Sequence, residues 1–399
     1  MVKDRKLAIL LHFVFFLLGI TTILIGQVLP ILSRGLALND LQAGYLFPAQ
    51  FGGAILGTLA SNWFGRLNGF VSATVVGSSA MALGVTAMSM NSFEGCLAGF
   101  FVNGLGVGLT LPAINMLVLE MNPLRGASAL SILNFCWGLG AIVCKPVVDA
   151  TASEQSIYVT SVFLSIPLLI GAALIALLPR DRASKPLNIT NDAASMPQAA
   201  AIWTGALAWA VALFNFIQVG FESGVGGWLT TYADRLHGAP VINLFSPTFL
   251  YFLFFVAGRG VAPLYFRFMS ENQVLFLDIA LMLAGMFVIL SAGNLTWLGV
   301  GAAVSGFGAS SVFPTNLSRF TRIFGPSSTR RTTPLFITGT LGGAAVTWTI
   351  GFVSEQAESL RAGMFTLLAF VAVILVVQAI LAFGSAKRSA QDTVTSGDP

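Results

Sequence analysis

Residues 214–232, FNFIQVGFESGVGGWLTTY, form a long apolar stretch that carries one acid, Glu222. No Lys or Arg lies within ten residues of Glu222 on either side. On a helix, Asn215, Gln218 and Glu222 share one face, because they are spaced three and then four residues apart. A carboxyl group in a membrane helix is costly and usually faces a bundle interior or a watery cavity. The stretch therefore predicts a polar face inside a bundle of membrane helices.

The composition of the whole chain is that of an integral membrane protein. Of its 399 residues, 56% are hydrophobic and only 9% are charged, and the mean hydropathy is +0.84. A soluble domain typically carries about 25% charged residues. Apolar runs of about 20 residues predict helices rather than a transmembrane β-barrel. The basic residues cluster by topology and the three cysteines lack metal-site spacing, so we expect no nucleic-acid partner, no metal and no cofactor.

Apolar runs separated by polar or Gly/Pro residues predict twelve membrane spans. They lie at about 7–32, 41–63, 70–91, 96–119, 128–149, 157–179, 203–232, 246–267, 273–293, 295–317, 333–353 and 362–384. Residues 180–202 are polar and poor in aromatics, which is typical of a linker. The predicted organisation is a six-helix half at 1–179, a cytoplasmic linker at 180–202, a second six-helix half at 203–385 and a disordered cytoplasmic tail at 386–399.

The distribution of Lys and Arg predicts the orientation of these spans. Fifteen of them fall in the termini and loops on the side of the N-terminus, whereas the loops on the other side hold Arg34, Arg235 and Arg361. Both termini should therefore be cytoplasmic. We expect a monomeric, multi-pass protein in the bilayer of the cell inner (plasma) membrane.

The fourth and tenth spans share a glycine–proline motif. Residues 104–112 and 306–314 both read GxGxxxxxP, at an offset of 202. Glycines of the first and seventh spans repeat at an offset of 201, Gly19 with Gly220 and Gly26 with Gly227. A near-constant offset predicts two halves in the same orientation, related by an axis along the membrane normal. The predicted fold is thus an all-α membrane protein of twelve transmembrane helices in two pseudo-symmetric halves.

Several motifs resemble those of the major facilitator superfamily. Residues 57–66 resemble its cytoplasmic motif, with Ser61 and Asn62 in place of the usual Asp-Arg. Within the superfamily the chain resembles the group of the fucose permease and the glucose/galactose:proton symporters, at residues 131–146, 219–232, 258–259 and 306–318. The resemblance implies the major facilitator fold and the uptake of a neutral sugar, a hexose or related polyol, often driven by protons.

Glu222 has two interpretations. It can be the proton-coupling group or a hydrogen-bond acceptor for substrate, or it can be a structural acid paired with a basic residue. Burial favours the neutral form of a carboxyl group, which suits a proton carrier. The candidate substrate-binding residues are Glu222 together with Gln50, Asn115, Asn134, Trp137, Asn215, Gln218, Trp228 and Asn316. Their amides can instead bond neighbouring helices, and a Trp can stack on a sugar or pack in the core.

Arg259 is a charge left inside a span, and an unpaired Arg at that depth is costly. Counting residues from the helix ends places Asp278 at a similar depth, which predicts a structural Arg259–Asp278 pair. The alternative partner is Glu222. The first pairing leaves Glu222 free to bind protons, whereas the second makes Arg259 and a proton compete for it.

Two other functions fit the same sequence. A proton-coupled exporter of drugs or amphiphiles would suit the intramembrane acid and the 33 phenylalanines equally well. If Glu222 is fixed in a salt bridge, an uncoupled sugar facilitator is expected instead. A sensor without transport is disfavoured because the loops are short, and no catalytic constellation indicates an enzyme.

Overall fold

The structure, a computed structural model, describes residues 2–122, 125–178, 202–242, 245–324 and 332–395. Within these ranges its regular elements are helices: α1 Val2–Leu36, α2 Asp40–Leu67, α3 Phe70–Ala87, α4 Phe93–Met121, α5 Gly126–Thr151, α6 Tyr158–Leu177, α7 Ala206–His237, α8 Pro247–Tyr265, α9 Glu271–Ser291, α10 Leu295–Ala309, α11 Val312–Phe324, α12 Thr333–Gln356 and α13 Leu360–Thr395.

These helices confirm the predicted fold class. Eleven helical segments in the described ranges are long and apolar enough to span a membrane, and α2, 28 residues long but less apolar, occupies the place of the predicted second span. Helices α10 and α11 form one span, interrupted at Ser310 and Ser311. The predicted linker at 180–202 lies outside the described residues except for Ile202. The last helix continues to Thr395, so it includes most of the segment predicted as a disordered tail, of which 396–399 lie outside the described residues.

Polar caps set the start of several helices. Asn39 accepts a hydrogen bond from the backbone N–H of Gln42, whose side chain in turn accepts one from the backbone N–H of Asn39. Ser270 and Gln273 form the same capping box before α9. Such boxes satisfy N–H groups that the first turn leaves free. The Asn39 box matters for function because it fixes Asp40 at the first residue of α2.

The glycine–proline repeat reappears as a repeated packing contact. A Cβ atom on Gly104 would lie 1.9 Å from the carbonyl oxygen of Gln50, and one on Gly306 would lie 2.2 Å from that of Tyr251. Both members of the second contact follow those of the first by 201 or 202 residues. Helix α4 thus packs on α2 with the register that α10 uses on α8. Backbones this close leave no room for a side chain, so both positions require glycine.

We expect Gly306→Ala to destabilise the protein by about 1–3 kcal/mol, because the added methyl group must push α10 away from α8. The matched control is Gly260→Ala on α8, where a Cβ atom would meet no heavy atom within 4 Å. Alanine favours a helix over glycine by about 1 kcal/mol, so the control should melt at the same or a higher temperature. Thermal melting of both variants in detergent checks this, and equal melting temperatures would contradict the proposed register.

The two halves meet through three helix pairs, α1 with α7, α2 with α12 and α5 with α8. Gly26 of α1 is so close to α7 that a Cβ atom on it would lie 2.1 Å from the carbonyl oxygen of Gly226. Helices α1 and α7 end, and α2 begins, at the same end of the bundle. We name it the Arg34 end. The N-terminus of α1 lies at the opposite end.

Candidate functional site

Glu222 lies at the centre of a polar cluster on α7. The side-chain nitrogen of Gln218 donates a hydrogen bond of 2.7 Å to the Glu222 carboxyl group, one turn away. The same nitrogen lies 3.5 Å from the carbonyl oxygen of Ala309, where α10 ends. Gln218 is fully buried, and its side-chain oxygen has no hydrogen-bond partner among the described residues. Within the predicted polar face of α7, Gln218 therefore points at the interruption between α10 and α11.

Helix α8 brings a cation and a phenol to the same place. Arg259 donates from Nε to the carbonyl oxygen of Ser310 at 3.1 Å, and its guanidinium lies 4.2 Å from the ring centre of Phe255. It interacts electrostatically with Glu222, although no ion pair within 4.0 Å joins them in the described structure. Tyr251 is buried and interacts with both charges, and its hydroxyl has no hydrogen-bond partner in the described part of the chain. We name Gln218, Glu222, Tyr251 and Arg259 the Glu222 cluster.

The predicted Arg259–Asp278 pair does not form in this structure. Asp278 accepts a hydrogen bond from the hydroxyl of Ser311, and Arg259 binds the carbonyl group of Ser310. The two charges are therefore held by consecutive residues of the helix interruption instead of by each other. Counting residues gave a similar depth for Arg259 and Asp278, but depth along a helix does not determine which side of the helix a side chain lies on.

Three predicted amides bond the backbones of neighbouring helices. All three are buried, and each donates its side-chain N–H to a carbonyl oxygen: Asn215 to Leu335 at 2.7 Å, Asn316 to Val211 at 3.2 Å and Gln50 to Thr22 at 3.2 Å. Their side-chain oxygens have no hydrogen-bond partner within the described ranges. Asn215 and Asn316 tie α7 to α12 and α11, and so hold in place the helix that carries Glu222.

Charged residues from both halves are paired at the Arg34 end. Arg34 of α1 lies 3.2 Å from Asp234 of α7, and Arg235 of α7 pairs with Asp40 of α2. Arg34 and Arg235 stand 201 residues apart, the offset that relates α1 to α7. The hydroxyl of Ser354 on α12 also donates to Asp40. The two halves are thus joined by reciprocal ion pairs.

A cavity of about 320 Å³ opens at the same end. Its lining comes from α1, α5, α7 and residues 152–154 and 240–242, and it includes Gln27, Arg34 and Asp234. Lys145 also lines it, paired with Asp149, and donates to the carbonyl oxygen of Val241 at 2.9 Å. This cavity does not reach the Glu222 cluster, whose members are absent from its lining.

The sequence profile of the Major Facilitator Superfamily matches residues 11–347. The chain belongs to the major facilitator superfamily. A sodium-dependent glucose transporter of Xenopus laevis is 25% identical over 338 residues, which cover 74% of this chain and 66% of that protein. The chain thus spans just under two thirds of that relative's length.

Solved transporter structures share the fold. A D-xylose–proton symporter has a TM-score of 0.78 at 14% identity, covering 94% of this chain and 97% of that one. The fucose–proton symporter of E. coli has a TM-score of 0.61 at 20% identity, covering 95% and 99%. Transporters of nucleosides and of peptides share it too. Sequence identities this low establish the fold alone. The superfamily makes the chain a multi-pass membrane transporter.

The other residues predicted to bind substrate lie apart from the Glu222 cluster or in packed regions. Trp228 has no exposed surface, and its indole N–H donates to the carbonyl oxygen of Thr347 at 3.0 Å. Trp137 is partly exposed and packs against the apolar core. Asn115 and Asn134 each donate to the carbonyl group four residues earlier on their own helix. Trp228 therefore joins helices, whereas Asn134 keeps an exposed surface.

Tyr251 is the cluster residue that sequence reasoning missed. It stands 201 residues after Gln50, which was singled out, so the internal repeat carried the signal. Asn103 was missed as well: it is buried and donates to the carbonyl oxygen of Thr21 at 3.3 Å. It directly precedes the first GxG motif, as Ser305 precedes the second.

Proposed function

We propose that this transporter moves a neutral sugar, a hexose or related polyol, together with a proton, and that Glu222 is the group that titrates. The observation that carries the proposal is the Glu222 cluster. An acid lies inside a membrane span, hydrogen-bonded to Gln218 and near Arg259, yet not locked to that cation by a direct ion pair. Such an acid can exchange a proton without first breaking a salt bridge.

Arg259 supplies the competing charge. When Glu222 is ionised, its attraction to Arg259 stabilises the carboxylate. When Glu222 binds a proton, Arg259 stays on the Ser310 carbonyl group and the Phe255 ring, both of which it already contacts. The proton thus changes how α7 interacts with α8, and α8 packs on α5 of the other half. A shift of that kind is what links proton binding to the rocking of the two halves.

The polar groups of the cluster suit hydroxyl groups better than anions. Two groups of the cluster have no hydrogen-bond partner in the described structure: the side-chain oxygen of Gln218, which can accept, and the hydroxyl of Tyr251. The one cation of the cluster, Arg259, is already engaged by a carbonyl group and a ring. A phosphorylated substrate would favour several cations instead. The names of the similar glucose, D-xylose and fucose transporters support the same substrate class.

The paired charges support an assignment of conformation. With both termini in the cytoplasm, as the Lys and Arg distribution predicts, the Arg34 end faces outward. Ion pairs join the two halves across that end, and the cavity beside them does not reach the Glu222 cluster, whereas Asn134, nearer the start of α5, is exposed. We therefore take this structure as the inward-facing state of an alternating-access cycle.

Purified protein in proteoliposomes tests the proposal. Labelled hexoses and polyols, with a nucleoside, a dipeptide and an amphiphilic cation as competitors, are offered under a proton gradient, a sodium gradient or none. We expect one or more sugars to accumulate, and only under the proton gradient. Equilibration without accumulation would indicate an uncoupled facilitator. Accumulation that depends on the sodium gradient would mean that sodium, and not the proton, is the coupling ion. Transport of the amphiphile without sugar transport would overturn the substrate class.

A further inference from the structure

Asp278 is a buried acid inside a membrane helix, and the proposed function does not use it. Its residue is 1% exposed, in the first half of the membrane helix α9. The hydroxyl of Ser311 donates to it, and within the described ranges no Lys, Arg or His lies within 4.0 Å of its carboxyl group. An ionised carboxylate without a cation is costly at such a position. Asp278 therefore suits a neutral, proton-bearing state, and its charge changes when it gains or loses that proton.

The helices around Asp278 offer no competing charge. Helix α10 has no titratable side chain, and its Gly308 packs directly on α9 at the Asp278 backbone. Tyr265 of α8 interacts with Asp278 through its phenol group. The other described charges nearby are committed elsewhere: Arg259 to Ser310, Arg319 to Gln378 of α13, and Glu271 to Arg322.

The interruption between α10 and α11 connects Asp278 with Glu222. Ser310 accepts a hydrogen bond from Arg259, which interacts with Glu222. Ser311, the next residue, donates to Asp278. One peptide unit therefore lies between the acid on α9 and the cation that faces the acid on α7. A broken membrane helix can move its two parts separately, so it can transmit a change at one acid to the other.

We propose that Asp278 is a second proton-binding group, and that the Ser310–Ser311 interruption transmits its charge to Arg259 and Glu222. The proposal rests on the proposed proton-coupled transport. A proton from the aqueous compartment forms an O–H bond with a carboxyl oxygen of Asp278, and the charge of the side chain changes from −1 to 0. The protonated carboxyl group no longer requires the Ser311 donor, which frees the interruption to move. Two protons then accompany each sugar.

Asp278→Asn tests the second proton, because Asn keeps the volume and an acceptor for Ser311. Sugar counterflow should persist, whereas the accumulation that a membrane potential of 100 mV supports should fall by about 50-fold, since one charge fewer crosses with each sugar. Glu271→Gln is the matched control on the same helix, where the acid lies in the first turn and pairs with Arg322. Its ratio of protons to sugar should equal that of the unmodified protein. An unchanged ratio in Asp278→Asn would overturn the proposal.

Infrared spectroscopy during a pH titration separates this proposal from the sugar assignment. Two bands of protonated carboxyl groups should titrate in the unmodified protein, and Asp278→Asn should lose one of them while Glu222→Gln loses the other, whatever the substrate is. If Asp278→Asn keeps both bands, the proposal fails even where sugar transport is confirmed. Should Asp278→Asn not fold, Ser311→Ala decides: loss of a hydrogen bond to a carboxylate should move the pH midpoint of counterflow by about one unit. An unmoved midpoint would contradict a titrating Asp278.

Discussion

The Glu222→Gln variant should lose uphill sugar accumulation while it keeps sugar counterflow. Gln preserves the volume of the side chain and an oxygen that can accept the hydrogen bond from Gln218, so the shape of the cluster should survive. It removes the only acid of that cluster, and with it the proton that drives accumulation. In proteoliposomes, uptake driven by a proton gradient should fall to the level that sugar equilibration alone gives, because Asp278 acts through Arg259 and Glu222 and so cannot drive accumulation without Glu222. Counterflow, which needs binding and the rocking motion but no net proton movement, should continue.

Glu120→Gln is the matched control for this result. Like Glu222, Glu120 is an acid in a membrane helix. It lies near the end of α4, is exposed and is outside the Glu222 cluster. Its replacement should leave both accumulation and counterflow as they are. If Glu222→Gln still concentrates sugar against a gradient, Glu222 is not the coupling group. Accumulation that is lost in Asp278→Asn but kept in Glu222→Gln would move the coupling entirely to α9.

The fold was predictable because its physical causes are local. Length and hydrophobicity of the runs define membrane helices, and the glycine motifs mark the places where helices touch. The offset between 104–112 and 306–314 predicted two related halves, and the contacts of Gly104 and Gly306 repeat with that offset. What the repeat did not predict is the interruption at Ser310 and Ser311, since the matching part of α4 is a continuous helix.

The site was less predictable because it depends on direction around each helix. Gln218 and Glu222 could be placed together, since one helix carries both. For Arg259, depth along the membrane favoured Asp278, and the decisive factor was the free carbonyl group of Ser310 in the interruption. Trp228 is of the residue type that stacks on sugars, but it packs beside Phe47 of the other half with ring centres 5.9 Å apart. Composition does not distinguish a cavity wall from an interface between halves.

Removal of the two paired arginines at the Arg34 end should shift the protein toward the state that is open at that end. Arg34 and Arg235 each bridge the halves to an acid that is much more buried than the arginine, Asp234 and Asp40. Exposed pairs contribute up to about 1 kcal/mol each, so Arg34→Ala with Arg235→Ala should change the ratio of the two states by about 5- to 30-fold. The shift should lie toward the upper value, because each substitution leaves a buried acid without its cation.

Spin labels on exposed residues of the two halves, at Met90 and Ile242, report this shift as a longer distance across the Arg34 end. The labels are introduced after the three native cysteines are replaced. Arg361→Ala is the matched control, because Arg361 is an exposed cation at the same end that forms no ion pair with the described acids. It should leave the distance distribution unchanged, since the two bridging contacts remain. Equal shifts in the control and the double variant would mean that net charge, and not the reciprocal pairs, holds this end closed.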